Sequence, residues 1–224
     1  MNILFCSAGR RCELLKNFRK SMGNDGKIVA TDISLTAPAI YMADKYYIVP
    51  RIDDDNYIPT ILDICKREKI QAVTTLIDPE IMILAENRNK FEEIGVEVLT
   101  PYKETAEICF DKYVMYEYLK GKNIRTVLTY SDIETFEIGK SKGEIDFPVF
   151  VKPRRGSGSV GARKVENMET LEKSMMEDPS LIIQELMSDA LDIDADIYVD
   201  TISNQAVSLF SKKKLETKIG GASK

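Results

Sequence analysis

The sequence predicts an α/β protein: a Rossmann-like domain over residues 1–102, then a smaller α+β unit. Three observations carry that prediction. Short apolar runs alternate with segments of helical periodicity up to about residue 100. Beyond it the pattern becomes helix-rich and then reads strand, glycine loop, strand, helix, strand. A length of 224 residues suits one large domain or two small ones.

Taken in order, Asn2–Cys6 reads as a strand, and the SAGRR turn leads into a helix with Leu14, Leu15 and Phe18 on one side. Strands follow at Lys27–Asp32 and Lys45–Val49, then a helix over 56–69 that spaces Ile58, Ile61, Leu62 and Cys65 at helical intervals. Gln71–Leu76 is the next strand. Asp78-Pro79-Glu80 opens a helix, with Asp78 as the N-cap and proline in the first turn. Val96–Leu99 closes the series before Pro101. Strands alternating with helices imply a mainly parallel sheet covered on both faces.

Residues 103–142 are helix-rich. Asp111 should cap a helix whose apolar face includes Val114, Met115, Tyr118 and Leu119, with Gly121 as its C-cap. The segments FPVFVK, PRRGSGS, VGARKV, METLEKSMM and LIIQEL then form the α+β unit. In LDIDADIYVD, Asp192, Asp194, Asp196 and Asp200 fall on one face of a strand by strict alternation. A carboxylate face of this kind would suit Mg²⁺, but for Asp194, Asp196 and Asp200 the favoured reading is an exposed face toward water or the lysines of 212–214.

Composition excludes several classes of function. With 31 basic and 36 acidic side chains the net charge is -5, which argues against a generally basic nucleic-acid surface. The four cysteines lack CxxC spacing and read as reduced thiols. No signal peptide opens the chain, and no apolar stretch approaches the ~18 residues a membrane helix needs. A cytoplasmic protein is expected. Histidine is absent, so Ser-His and Cys-His nucleophiles and His-based zinc sites are excluded. Chemistry must run on lysine, arginine, carboxylates, backbone N–H groups and a hard metal ion.

The most informative stretch is FPVFVKPRRGSGSVGARKV, residues 147–165. An apolar strand ends in Lys152, then Gly156, Gly158 and Gly161 enclose Ser157 and Ser159. Such a loop can turn backbone N–H groups toward phosphate without Cβ interference. The GxxxxGK[ST] order is missing, so it is no Walker A loop. By itself the stretch could also be a surface hairpin with solvated arginines.

Its company narrows the choice. Lys112 opens a helix about 40 residues upstream, and IIQELM (182–187) lies about 25 residues downstream of the loop. The set DK, FPVFVKP plus glycine loop, and an apolar strand ending in Gln-Glu resembles the ATP-grasp superfamily. NILFCSAGRR, ADKYYIVPR and LIDPE resemble the preceding domain of carbamoyl-phosphate synthase large-chain-like members, so the resemblance covers nearly the whole chain. It implies a Rossmann-like pre-ATP-grasp domain (1–102), the N-terminal part of an ATP-grasp domain with its glycine-loop lid (103–188), and the start of the central sheet (189–224).

The same resemblance implies site residues. Lys112 and Lys152 would contact ATP phosphates, and Gly156, Ser157, Gly158 and Ser159 would fold over them. Gln184, Glu185, Leu186 and Met187 would form the hinge that reads adenine through backbone groups, and Asp192 would hold the ribose. More weakly, Lys214, Lys218, Gly220 and Gly221 would contact substrate. ATP and Mg²⁺ are the implied cofactors. The family's metal ligands come late, on a Glu-x-Asn-like pair, and would lie beyond Lys224. The chain therefore reads as C-terminally truncated, degraded or split, with exposed apolar surface or association with a second copy as the consequence.

The implied activity is ATP-dependent ligation of a small-molecule carboxylate and an amine through an acyl phosphate, without nucleic-acid or membrane partners. A non-catalytic ATP-binding or regulatory module is the alternative. A dinucleotide-dependent oxidoreductase would rest on the first domain alone, where one glycine turn and Asp32 are the only signals.

Overall fold

β1 (Ile3–Cys6) is apolar along its whole length, and none of its four side chains meets solvent. A strand can lose both faces to burial only inside a sheet covered on both sides. The computed structural model describes residues 1–75, 77–156, 158–188, 191–200 and 202–213, with the backbone alone of 217–218 and 221–222. Two units divide the chain, Met1–Phe110 and Asp111–Lys224.

In the first unit, β1 lies at the centre of an all-parallel sheet of order β3-β2-β1-β4-β5. The other strands are β2 (Ile28–Asp32), β3 (Lys45–Ile48), β4 (Ala72–Thr75) and β5 (Glu97–Val98). Leu4 and Cys6 pack on one face with Ile61, Ile64 and Cys65 of α2 (Tyr57–Glu68). Ile3 and Phe5 pack on the other with Leu15 of α1 (Cys12–Met22) and with Ile40. All four cysteines are free thiols, and burial pushes Cys65 up to about 12, so it stays protonated and inert.

α3 (Asp78–Glu86) corrects one expectation. Its N-cap is Ile77, which holds the extended backbone a cap needs, and Asp78 already stands inside the helix; proline does sit in the first turn. α4 (Arg88–Glu92) follows. α5 (Lys103–Phe110), placed after the domain boundary by the sequence reading, belongs to the first unit. The Lys103 ammonium lies 3.5 Å from the Glu86 carboxylate of α3, and Ala106 is buried.

The second unit begins at α6 (Lys112–Gly121), capped by Asp111, which accepts from the N–H groups of Tyr113 and Val114. Gly121 is still helical. The cap is Lys122, and Asn123, at φ 57°, takes the left-handed turn expected of the glycine. A four-stranded antiparallel sheet has the order β6-β9-β7-β8, from β6 (Thr129–Tyr130), β7 (Val149–Pro153), β8 (Arg163–Val165) and β9 (Leu181–Glu185). Phe136 of α7 (Ile133–Ser141) and Leu171 of α8 (Met168–Glu177) close one core with Val149, Val151, Val165, Leu181 and Ile183.

β10 (Ile193–Val199) and β11 (Ala206–Lys213) form an antiparallel hairpin, and β12 (Thr217–Lys218) pairs with β13 (Gly221–Ala222). The aspartate face of β10 meets Lys212, which lies 3.3 Å from Asp196 and 3.9 Å from Asp194, while Asp200 closes a turn on Ser203. The opposite face is apolar and exposed, with Ile197 at 59% and Leu209 at 67%. Among the described residues no helix is long and apolar enough to cross a membrane.

Candidate functional site

Alternation along β7 sends Val149 and Val151 into the core and leaves Phe150 and Lys152 on the opposite face. There they line a cavity of about 390 Å³ together with Lys112, Arg155, Gly158 and Ser159. That volume lies within the range of small-ligand pockets. Burial pulls the Lys152 ammonium below its ordinary value, and the nearby charge of Lys112 pulls it further. Two cations held close in a half-buried cavity attract an anion that neutralises both.

The beginning of α6 holds the root of the glycine loop. The Lys112 ammonium donates to the carbonyls of Pro153 at 3.1 Å and Gly156 at 2.8 Å, while its backbone N–H donates to Arg154 O at 3.0 Å. Asp111, only 3% exposed in its side chain, receives Arg154 Nε at 2.6 Å on both oxygens and Arg155 Nε at 3.3 Å. Burial opposes ionisation of Asp111, but Arg154 and the N–H groups of Val114 and Tyr113 outweigh it and hold the carboxyl below the usual range. Arg154 also lies over the Tyr113 ring, 5.3 Å from its centroid.

Beyond this root the chain needs glycine. Gly156 has φ 109°, which a side chain scarcely tolerates, and a Cβ on Gly161 (φ 75°) would lie 3.1 Å from Pro153 Cγ. The bend at Ser159 and Gly161 is also why β8 begins only at Arg163, later than the VGARKV run suggested.

The cavity thus gathers Lys112, Lys152, Gly156, Gly158 and Ser159. Gln184 shares the sheet face of Phe150, its cross-strand partner, and donates from Nε2 to Thr129 Oγ1 at 2.6 Å. Glu185 ends β9, and its N–H is taken by Leu128 O at 3.0 Å. This departs from a hinge in which that N–H faces a base; the Glu185 carbonyl and the backbone of Leu186 and Met187 are what remain for such a role. Leu186 is half-buried, and Met187 and Asp192 are exposed. Ser157, Lys214 and Gly220 lie outside the described residues. Lys218 and Gly221 face each other across β12 and β13.

Asp111 and Arg155 were not singled out as site residues from sequence. Asp111 was read as a helix cap, which it is, but the same carboxylate also clamps the two arginines at the loop root. The signal was the adjacency of Asp111 and Lys112, with Arg154-Arg155 directly after the strand. Among the described residues no group of three or more Cys, Asp or Glu side chains is arranged to hold a metal ion.

Two family models match the chain: the PylC-like N-terminal domain over residues 3–99 and the D-ala D-ala ligase C-terminus over residues 126–214. Neither describes the carbamoyl-phosphate synthase large chain, so that subtype is carried no further. D-alanine--D-alanine ligase B of Clostridium perfringens is 40% identical over 75 residues, 33% of this chain and 24% of that protein. The biotin carboxylase domain of Hydrogenobacter thermophilus 2-oxoglutarate carboxylase, solved as a dimer with MgADP, ADP and bicarbonate, superposes with a TM-score of 0.71 at 21% identity. That match covers 99% of this chain and 51% of the other. N5-carboxyaminoimidazole synthetase of Staphylococcus aureus gives 0.70 at 17% identity, covering 95% and 53%. The chain spans about half the length of these solved relatives.

Proposed function

We propose, for a chain that belongs to the ATP-grasp superfamily, that it binds ATP in the cavity between Lys112, Lys152 and the glycine loop. The nucleotide serves ligation of a small carboxylate to an amine through an acyl phosphate. One observation supports this above the others: two ammonium groups 40 positions apart in sequence meet at one cavity lined by a loop whose Gly156, Gly158 and Gly161 hold positive φ.

The chemistry suits a chain without histidine. Phosphoryl transfer requires positioning and charge neutralisation more than proton abstraction. Lys152, fixed at the end of a core strand, presents its charge at a defined point. Lys112 lies on the same cavity, and loop N–H groups supply further donors toward phosphate oxygens. Gln184 and the backbone of Leu186 and Met187 would position the base, and Asp192 the ribose. Mg²⁺ would supply further charge neutralisation on the phosphates. The described residues do not by themselves form a site for it, and no step here is routed through it.

Titrating the chain with ATP should give saturable binding. Lys152→Met and Lys112→Met should each weaken it at least about tenfold, the worth of one lost charge-assisted hydrogen bond. NAD should give no comparable protection against thermal unfolding. No saturable ATP signal, or unaltered affinity in both variants, overturns the nucleotide reading. ADP formation that requires both a carboxylate and an amine would support ligation, and nucleotide binding without it would favour a non-catalytic module.

A further inference from the structure

Arg154 and Arg155 follow β7 side by side, yet they stand differently toward the cavity that holds Lys112 and Lys152. Arg155 lines that cavity, and it also lines a neighbouring one beside Asp111, Ser131 and Ser180. Of these two cavities, Arg154 lines only the neighbouring one.

We infer that Arg155 is a specificity-determining residue: presented by Asp111, it binds the far end of a phosphate chain as a third cation and favours three phosphates over two. The inference rests on the anion-binding reading of the cavity and adds to it a residue and a selectivity.

The buried Asp111 carboxylate treats the two arginines unequally. Both of its oxygens accept from Arg154 Nε at 2.6 Å, and Oδ1 also accepts from the N–H groups of Tyr113 and Val114 at 3.1 Å. Those partners alone compensate a buried carboxylate. Arg155 adds one longer bond, from Nε to Oδ2 at 3.3 Å, and its side chain is 67% exposed. Asp111 thus needs Arg155 little as a counter-charge, but the bond fixes where the Arg155 stem ends. A guanidinium that spends Nε in this way keeps its two terminal nitrogens as a flat fork for phosphate oxygens. Among the described residues those nitrogens make no hydrogen bond.

The backbone repeats this division. Arg154 N donates to Ser180 O at 2.8 Å and Arg154 O accepts from Lys112 N at 3.0 Å, so Arg154 is pinned from two sides. Among the described residues no backbone hydrogen bond holds Arg155. Strand register then sets which phosphate Arg155 meets. Phe150 lies opposite Gln184 and Lys152 opposite Ile182, so β7 runs away from the end of β9 where the base would sit. Arg155 follows beyond Lys152 in the same direction, where a phosphate chain extends past the lysine pair. A cation acting only through the general field would favour two and three phosphates almost alike, whereas a fork on the last phosphate acts on the longer chain.

Magnesium-free calorimetry of the 224-residue chain tests this with ATP, ADP, tripolyphosphate and pyrophosphate. Arg155→Gln, at an exposed side chain, should weaken ATP and tripolyphosphate about tenfold, and ADP and pyrophosphate by less than about threefold. Arg155→Lys keeps the charge but loses the fork, and should recover only part of that loss. Lys173→Gln removes an equal charge from α8, whose Leu171 packs on the opposite face of the sheet, and should leave all four affinities unchanged. An equal fall for all four ligands, an unaffected Arg155→Gln variant, or no saturable tripolyphosphate binding overturns the inference. Tripolyphosphate binding that needs Arg155, with none for ATP, overturns the nucleotide reading and leaves this inference standing.

Discussion

Replacing Glu80 by glutamine isolates a carboxyl that the fold holds near neutrality. Glu80 is fully buried beneath the carboxyl ends of β1 and β4, with one oxygen accepting from the Thr75 hydroxyl and no hydrogen bond of good geometry on the other. Burial pushes the carboxyl from an ordinary 4.5 up to about 7, Asp32 adds to the push, and the Ser7 hydroxyl opposes it. Between those values the folded protein holds a proton that the unfolded chain has released. Its contribution is therefore fully present below about pH 4.5 and is lost as pH rises through about 7. A window of about 2.5 pH units, at ~1.4 kcal/mol per unit, corresponds to about 3.5 kcal/mol over the full titration. Glutamine keeps an oxygen for the Thr75 hydroxyl and cannot ionise. In urea unfolding from pH 5 to pH 8, the native chain should lose about 2.5 kcal/mol relative to Glu80→Gln as pH rises, since part of the window lies below pH 5. A difference between the two proteins that stays constant across that range would refute the reasoning.

Asp111→Asn keeps a cap on α6 but loses the charged fork to Arg154; nucleotide affinity by calorimetry should fall about fivefold or more, with stability changed by about 1 kcal/mol. Gly161→Ala puts a methyl group against Pro153 at a positive φ and should cost about 1 kcal/mol or more in urea unfolding, together with weaker nucleotide binding. Leu209→Asp breaks the exposed apolar face of the β10–β11 hairpin and should reduce any concentration-dependent association seen by sedimentation; unchanged association would place the contact elsewhere.

The parts of this architecture that were legible in sequence are those fixed by local pattern. The apolar run of β1 could only be a strand buried on both faces, and the helical spacing of α2 named Ile61 and Cys65 as core. The alternation in β10 placed its aspartates on one face, though not the exposure of the other. What stayed hidden depends on tertiary choice. By residue type Asp78 was the cap of α3, but the extended backbone falls on Ile77, one residue earlier. The boundary slipped from 102 to 110 because α5 reads like any amphipathic helix until Lys103 meets Glu86. The site was legible as a set of motifs in order, whereas the contact of Asp111 with Arg154, 43 positions away, exists only once β7 and α6 have met.

That contact bears on how the cradle works. Lys112 is not waiting in solvent; its ammonium rests on the carbonyls of Pro153 and Gly156. A nucleotide phosphate that recruits this lysine must replace hydrogen bonds to neutral carbonyls by charge-assisted ones, so only the difference between the two appears as affinity. The same bonds tie the lysine to the loop root, so drawing the ammonium toward phosphate pulls on the backbone of Gly156, where φ 109° leaves the chain free to follow. Asp111 meanwhile keeps Arg154 and Arg155 anchored to the helix.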